Sequence, residues 1–498
     1  MAASGFDLVV RGGTVYDGLL SAPRRADIGV VGDRIVAVEA RLEPGANEID
    51  AAGLAVAPGF IDVHTHDDLA VLTQPEMPFK LLQGVTTDIV GNCGFGPAPH
   101  AAAVTLFDAV APAPGVPGWE GFAGYMRRLD QDPPALNVAV LAGHGTIRLA
   151  AMQGRPGAPS REEFQGMRRM LDEALDAGVV GLSTGLIYDP GRLSEESEIH
   201  ALATQTALAG GVYASHMRNE GSGLLNSIAE TLRVAEATGI STQVSHHKAS
   251  GRPNWGLVQR SLAMLEKAVA AGLRVAADQY PYTAGSTVLE AVIAGGALER
   301  DDGPMGRVGP DDVLIAAAPG HPEYEGRTLA SVAEADGIEA LEFARRLLAE
   351  EGLGVVVVVE IMAEEDVVRV LRHSSTMIGS DGIPAGAKPH PRLWGTFPRV
   401  LGRYARDRAV IDLSTAIHKM TGMPAAKFGL IDRGRITPGA AADLVVFDPH
   451  TVLDTGSYAS PTSPPVGIRD VLVNGSVVVR RSVQTGARPG RVLRRSAG

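Results

Sequence analysis

The stretch Ala57-Pro58-Gly59-Phe60-Ile61-Asp62-Val63-His64-Thr65-His66 decides the fold. Its apolar run reads as a strand with both faces covered. The run ends in His-x-His, and residues two apart on a strand leave it on the same side. Two imidazoles leaving one face at a strand end are half of a metal site. The other half has to come from elsewhere in the chain, and later apolar runs also end in ligand residue types.

Outward from this stretch the sequence alternates. Ser160 with Glu163 forms a capping box, Phe164, Met167, Leu171, Ala174 and Leu175 give an apolar helix face, and Gly178 ends it. The run Val179 to Ser183 follows at once as a strand. A helix from about Leu257 to Ala271 ends at Gly272 and is followed by Leu273 to Ala277. Alternation of this kind, with continuous apolar strands, indicates a parallel sheet covered by helices. Candidate strands end at His64/His66, Cys93, His144, Tyr188, His216, His246, Tyr280/Tyr282 and Asp381. Eight is the number needed for a (β/α)8 TIM-like barrel, which places the chain in the α/β class. Residues 57–435 are expected to form it.

One further run, Val355 to Val359, exceeds the count and is assigned to an insertion late in the barrel, about residues 285–354, which is expected to act as a lid. Residues 1–56 carry short strands at Asp7–Arg11, Ala26–Val31 and Arg34–Val38, separated by turns at Gly12-Gly13 and Gly32-Asp33. Residues 436–498 have the same texture, with Ala442–Asp448 and an Asp470–Val479 hairpin. The two ends are expected to build one small β-sandwich together, because each alone has few strands to bury.

Composition narrows the function. A net charge of -12 over 498 residues argues against nucleic acid and anionic membrane surfaces as partners and leaves a small-molecule substrate. Met1 to Asp7 lack a basic segment and an apolar core, so no secretory leader is expected. No apolar run spans a bilayer. The single cysteine excludes an internal disulfide, and a cytoplasmic location is the expectation. Oligomeric state is not legible.

At the C-terminal ends of barrel strands, where catalytic residues lie, the chain places His64, His66, Cys93, His216, His246 and Asp381. Imidazole, thiolate and carboxylate are the ligands of zinc. Singly, each has a plain reading as a strand-end or turn residue. Jointly they point to one metal centre. Cys93 lies among glycines in Gly91-Asn92-Cys93-Gly94-Phe95-Gly96 rather than among core residues. His246 is preferred over His247 because it keeps the phase of Val244. His144 stays open between a structural and a functional role, and His200 and His418 fall on helices.

These residues resemble the amidohydrolase superfamily, in the first-strand motif Pro58–His66 and in the C-terminal Ile436–Leu444. Within it, Gly91-Asn92-Cys93-Gly94, Ser215-His216-Met217-Arg218-Asn219-Glu220, Ser245-His246-His247-Lys248 and Ser380-Asp381-Gly382 resemble the N-acyl-D-amino-acid deacylases, or D-aminoacylases. The resemblance implies zinc-dependent hydrolysis of a linear amide. It implies that Cys93, His216 and His246 hold a tightly bound Zn2+, and that His64, His66 and Asp381 line a weaker second position. Asp381 would then be the general base and acid. Cyclic-amide hydrolases of the hydantoinase and dihydroorotase type are the alternative. Many of these bridge two metals with a carbamylated lysine, and this chain has no lysine between Lys80 and Lys248. For the substrate carboxylate the resemblance implies Lys248, Tyr188, Arg392 and one of two tyrosines, of which Tyr282 is favoured over Tyr280. Residues Ala284 to Leu289 give a mostly apolar mouth, which favours neutral apolar D-residues; an acidic side chain would need another arginine, such as Arg300 or Arg307.

Overall fold

The computed structural model describes residues 5–107 and 115–495; the Met1–Ser4 part of the leader reading lies outside the described residues. Among the described residues twenty strands form three sheets. The N-terminal strands are β1 (Leu8–Val15), β2 (Arg24–Val31), β3 (Arg34–Glu39), β4 (Asn47–Asp50) and β5 (Ala55–Pro58). Next come β6 (Phe60–Asp62), β7 (Val85–Val90), β8 (Asn137–Gly143), β9 (Gly181–Gly185), β10 (Val212–His216), β11 (Ser241–Val244) and β12 (Val275–Gln279). After these lie β13 (Ala284–Val288), β14 (Val313–Ala317), β15 (Val356–Glu360) and β16 (Thr376–Ile378). The chain ends with β17 (Leu444–Phe447), β18 (Ile468–Val473), β19 (Ser476–Arg480) and β20 (Val483–Gln484).

Strands β6 to β12 and β16 form an eight-stranded parallel sheet in the order β16-β12-β11-β10-β9-β8-β7-β6. This is the barrel. Its interior is packed by Ile61, Val63, Ile89, Ala139, Leu141, Val212, Ala214, Ala276 and Met377, closed from the strand starts by Ala425, Phe428 and Leu430. No ladder joins β16 to β6. The seam is closed just beyond the strand ends, where Asp381 N donates to His64 O (2.7 Å) and His66 N donates to Gly382 O (3.0 Å). Lys80 staples the same seam from inside. Its buried Nζ donates to Asp62 Oδ2 (2.5 Å), Thr65 Oγ1 (2.9 Å) and Ser380 Oγ (3.0 Å). Burial disfavours that ammonium, but Asp62, Asp67 and Asp88 outweigh it and raise its pKa. The staple therefore fixes the first-strand histidines relative to Asp381.

The helices follow their sequence signals. Arg161–Ala177 is capped by the reciprocal Ser160–Glu163 pair, ends on Gly178 at φ 98°, and buries Met167, Leu171, Ala174 and Leu175. Val258–Ala270 buries Val258, Leu262, Leu265 and Ala268.

Both chain ends share one nine-stranded sheet in the order β20-β19-β18-β17-β5-β1-β2-β3, with β4 beside β1. The strands expected as a sandwich thus form one continuous ladder. Gly12-Gly13, expected as a turn, lies within β1. The register slips between Val10 and Gly13, and Gly12 at φ 63° absorbs the slip as a bulge, so the strand runs on. Between β12 and β16 the chain inserts a three-stranded antiparallel sheet with the Val356–Glu360 strand in its middle, flanked by β13 and β14. Among the described residues no helix is long and apolar enough to cross a membrane.

Candidate metal centre

The strand ends bring six ligand-type side chains to one point at the barrel mouth. His64 Nε2 lies 3.2 Å from Cys93 Sγ, and Cys93 Sγ lies 3.6 Å from His246 Nε2. His246 Nε2 faces His216 Nδ1 at 2.8 Å. Asp381 Oδ1 lies 3.5 Å from His64 Nε2 and 3.2 Å from His66 Nε2. All six are buried. Among the described residues three overlapping groups have ligand atoms within 4.8 Å of one another: His64, Cys93 and His246; His64, His66 and Asp381; His216, Glu220 and His246.

The local backbone is built for this convergence. Cys93, His246 and Asp381 sit at φ 53°, 32° and 50°, a region that residues with a Cβ rarely occupy. The Cys93 turn is pinned by Ser183, whose hydroxyl donates to Gly91 O and accepts from Gly94 N (3.0 Å). Gly185 has to be glycine because a Cβ there would collide with the Cys93 carbonyl.

The charges complement one another. Burial pushes the Cys93 thiol up, but His64 and His216 outweigh it and hold it well below the ordinary thiol range. Burial likewise opposes charge on Asp381. Arg392, His64 and His246 win, and the carboxyl lies well below its usual range, with Arg392 Nη1 2.9 Å from Oδ2. Burial works against a charged His66, yet Asp381 and Cys93 lift it to about 9. Two carboxylates back the imidazoles. Asp278 Oδ1 lies 3.1 Å from His64 Nδ1, and Glu220 Oε1 lies 2.9 Å from His246 Nδ1. Each lies against the ring nitrogen turned away from the cluster. Neither residue was singled out from sequence. Asp278 had a signal, a carboxylate inside the apolar strand β12. Glu220 lies on a loop past β10 and had none beyond its place in the Ser215–Glu220 motif.

The donor set fits a zinc-type ion. Two imidazole nitrogens that face each other at 2.8 Å beside a thiolate have at most one proton between them, and His216 Nε2 and His66 Nδ1 are buried without partners.

A narrow cleft opens beside the cluster. Tyr188, His216, Glu220, His246, Lys248, Tyr280 and Asp381 form its polar wall, and Ile187, Met305, Val359 and Ile361 its apolar one. The insertion supplies Gly285, Ser286 and Thr287 from β13 to the lining of the cleft. Arg392 is fully buried, and its Nη2 donates to Ser286 O at 3.4 Å. The Tyr280 ring lies between two cations, 4.4 Å from Arg392 Cζ and 5.8 Å from Lys248 Nζ, and its hydroxyl has no partner.

Tyr282, the tyrosine expected to face the substrate, does not line the cleft. The chain leaves β12 after Gln279, and past Pro281 the Tyr282 ring turns away to stack 4.3 Å from Arg399 Cζ. Tyr280 takes the cleft position. His247 also points away, to Ser261 Oγ at 2.9 Å. His144 is buried against Glu198 Oε1 (2.7 Å) and does not reach the cleft. Arg300 and Arg307 have side chains 57% and 56% exposed and stand clear of it.

The chain is similar to known proteins in sequence and fold. The amidohydrolase family matches residues 47–479. The chain is 44% identical to an N-acyl-D-glutamate deacylase of Alcaligenes xylosoxydans xylosoxydans, over 99% of this chain and 97% of that one. It is 42% identical to a D-aminoacylase of the same organism, over 99% and 98%. The crystal structure of an N-acyl-D-glutamate deacylase from Bordetella bronchiseptica, solved with zinc and a phosphonate inhibitor that mimics the reaction's tetrahedral intermediate, superposes with a TM-score of 0.89. It is 41% identical and covers 98% of this chain and 100% of that one. With its barrel, its terminal sheet and its mouth of histidines, cysteine and aspartate, this chain belongs to the amidohydrolase family, in the branch that holds the D-aminoacylases, and is a hydrolase.

Proposed function

We propose that this chain cleaves the amide bond of N-acyl-D-amino acids, releasing a carboxylate and a free D-amino acid. The observation that carries this reading is the convergence of Cys93, His216 and His246 beside Asp381, with Lys248 and Tyr280 in the adjoining cleft and Arg392 buried against Asp381. Cys93, His216 and His246 would hold one zinc ion tightly, and His64, His66 and Asp381 a second, weaker position. When bound, the metal supplies a Lewis acid that polarises the amide carbonyl and lowers the pKa of water towards about 7.

The chain's own residues do the rest. Asp381 Oδ1 takes the proton from the attacking water and passes it to the departing amine. Arg392 fixes Asp381 through Oδ2, leaving Oδ1 on the metal side. Lys248 and the free Tyr280 hydroxyl line the cleft and offer donors for the substrate carboxylate, while Arg392, expected in the same clamp, is buried against Asp381 and does not line the cleft. Tyr188, whose hydroxyl lies 3.3 Å from Thr287 Oγ1, closes the cleft on the side of His216. The apolar wall of Ile187, Met305, Val359 and Ile361 has no free cation, which supports a neutral apolar D-side chain rather than D-glutamate. The D configuration follows the relatives. The cyclic-amide alternative lacks support, since β9 has no lysine to carbamylate.

Ninhydrin assays on N-acetyl-D-methionine, N-acetyl-D-glutamate and N-acetyl-L-methionine, with ring opening of a hydantoin followed by its ultraviolet absorbance, test this reading. It expects turnover of the first well above the other three. Comparable turnover of the hydantoin would overturn it.

A further inference from the structure

Glu220 has a place that neither the ligand set nor the carboxylate clamp accounts for. It is buried, and its backbone is held on both sides: Glu220 N donates to Pro304 O (2.8 Å) and Ser250 N donates to Glu220 O (2.8 Å). Its Oε1 lies 2.9 Å from His246 Nδ1 and 2.8 Å from Lys248 Nζ. Lys248 Nζ lies 2.7 Å from that same Nδ1. One ring nitrogen therefore faces an acceptor and a donor, both at bonding distance, and it can satisfy only one. With its hydrogen, Nδ1 donates to Glu220; without it, Nδ1 accepts from Lys248.

The choice reaches the far side of the ring. A neutral imidazole has a single N–H. If Nδ1 is bare, the hydrogen sits on Nε2, the atom that faces His216 Nδ1 at 2.8 Å and Cys93 Sγ at 3.6 Å. A protonated Nε2 has no lone pair for a metal. The first-strand histidine has no such contest, since Asp278 Oδ1 takes His64 Nδ1 at 3.1 Å with no lysine in competition.

We propose that Glu220 is a positioning residue that selects the metal-binding tautomer of His246, by accepting its Nδ1 hydrogen while holding Lys248 off the same nitrogen. The proposal rests on the reading of Cys93, His216 and His246 as ligands. It makes one carboxylate serve both the metal centre and the lysine offered to the substrate.

The test is zinc affinity, measured on metal-stripped protein by competition with a chromophoric chelator, with circular dichroism as the check on folding. Glu220→Ala is expected to weaken zinc binding about 10- to 100-fold. Glu220→Gln, whose amide oxygen still accepts, is expected to stay closer to the parent chain. Lys248→Met removes the competitor and is expected to bind zinc no more weakly than the parent. The double variant Glu220→Ala/Lys248→Met leaves no unpaired charge behind, and is expected to bind at least about fivefold more weakly than the parent. Parent-like affinity in folded Glu220→Ala, or in the double variant, overturns the proposal. So does a loss in Lys248→Met as large as that in Glu220→Ala, because the ion pair rather than the tautomer would then be responsible. A parent chain with no tight zinc at all would instead overturn the metal reading itself.

Discussion

The two ends of the barrel solve opposite problems with the same residue types. At the mouth, ionisable groups crowd together incompletely. Cys93, His246 and Asp381 adopt left-handed backbone, and His216 Nε2, His66 Nδ1 and the Tyr280 hydroxyl have no partners. At the strand starts, buried amino groups are capped by backbone carbonyls. Lys419 Nζ donates to His373 O (2.5 Å) and Thr376 O (2.9 Å), and Lys427 Nζ donates to Thr242 O (2.5 Å) and Arg274 O (3.2 Å). Ala425, Phe428 and Leu430 fill the space below. One end keeps donors and acceptors for something that arrives; the other uses them to hold strands in place. This division is the one that barrel geometry favours, with chemistry at the C-terminal face and stability at the other.

Substitutions at the two ends should therefore fail in different currencies of measurement, and five of them sharpen the contrast. The largest effect is expected for Asp381→Asn, with kcat lower by about 10²- to 10⁴-fold on N-acetyl-D-methionine while the tightly bound metal and the melting temperature are kept. Next, Arg392→Lys loses the directional fork and is expected to raise KM by about tenfold or more, checked by steady-state kinetics alongside thermal melts. Third, Tyr280→Phe is expected to raise KM by about three- to tenfold, one hydrogen bond's worth, whereas Tyr282→Phe leaves KM unchanged. A reversed pair would return Tyr282 to the cleft. The smallest effect lies at the strand starts. Burial lowers the Lys419 pKa from 10.5 to about 8. The unfolded chain therefore binds the proton more tightly between pH 8 and 10.5, and this residue's contribution to stability rises with pH across that window. Melts of Lys419→Met should show a smaller gain from pH 8 to 10.5 than the parent, with catalysis intact.

Much of the mouth was legible because strands keep a two-residue period. That period put His64 and His66 on one face and chose His246 over His247, and glycine neighbours marked Cys93 as something other than core. That phase outlasts β6, which stops at Asp62, and β11, which stops at Val244, but it does not outlast β12. Tyr280 and Tyr282 share a parity, but β12 stops at Gln279 and the chain turns at Pro281, so the parity no longer decides direction. Glu220 sits on a loop without any period. The Gly12-Gly13 pair was read as a turn because both turns and bulges need the left-handed backbone that glycine allows, and only the register of β1 on β2 separates them. Lys80 was a lysine after Phe79 in the sequence; its role as the staple between Asp62 and Ser380 depends on residues 300 positions apart.

The most direct test of the central claim is the metal content and amide-cleaving rate of Cys93→Ala after stripping and reloading with zinc. The account predicts substoichiometric zinc and a rate on N-acetyl-D-methionine lower by orders of magnitude, in a protein that still folds. Stoichiometric zinc with the parent rate would contradict it.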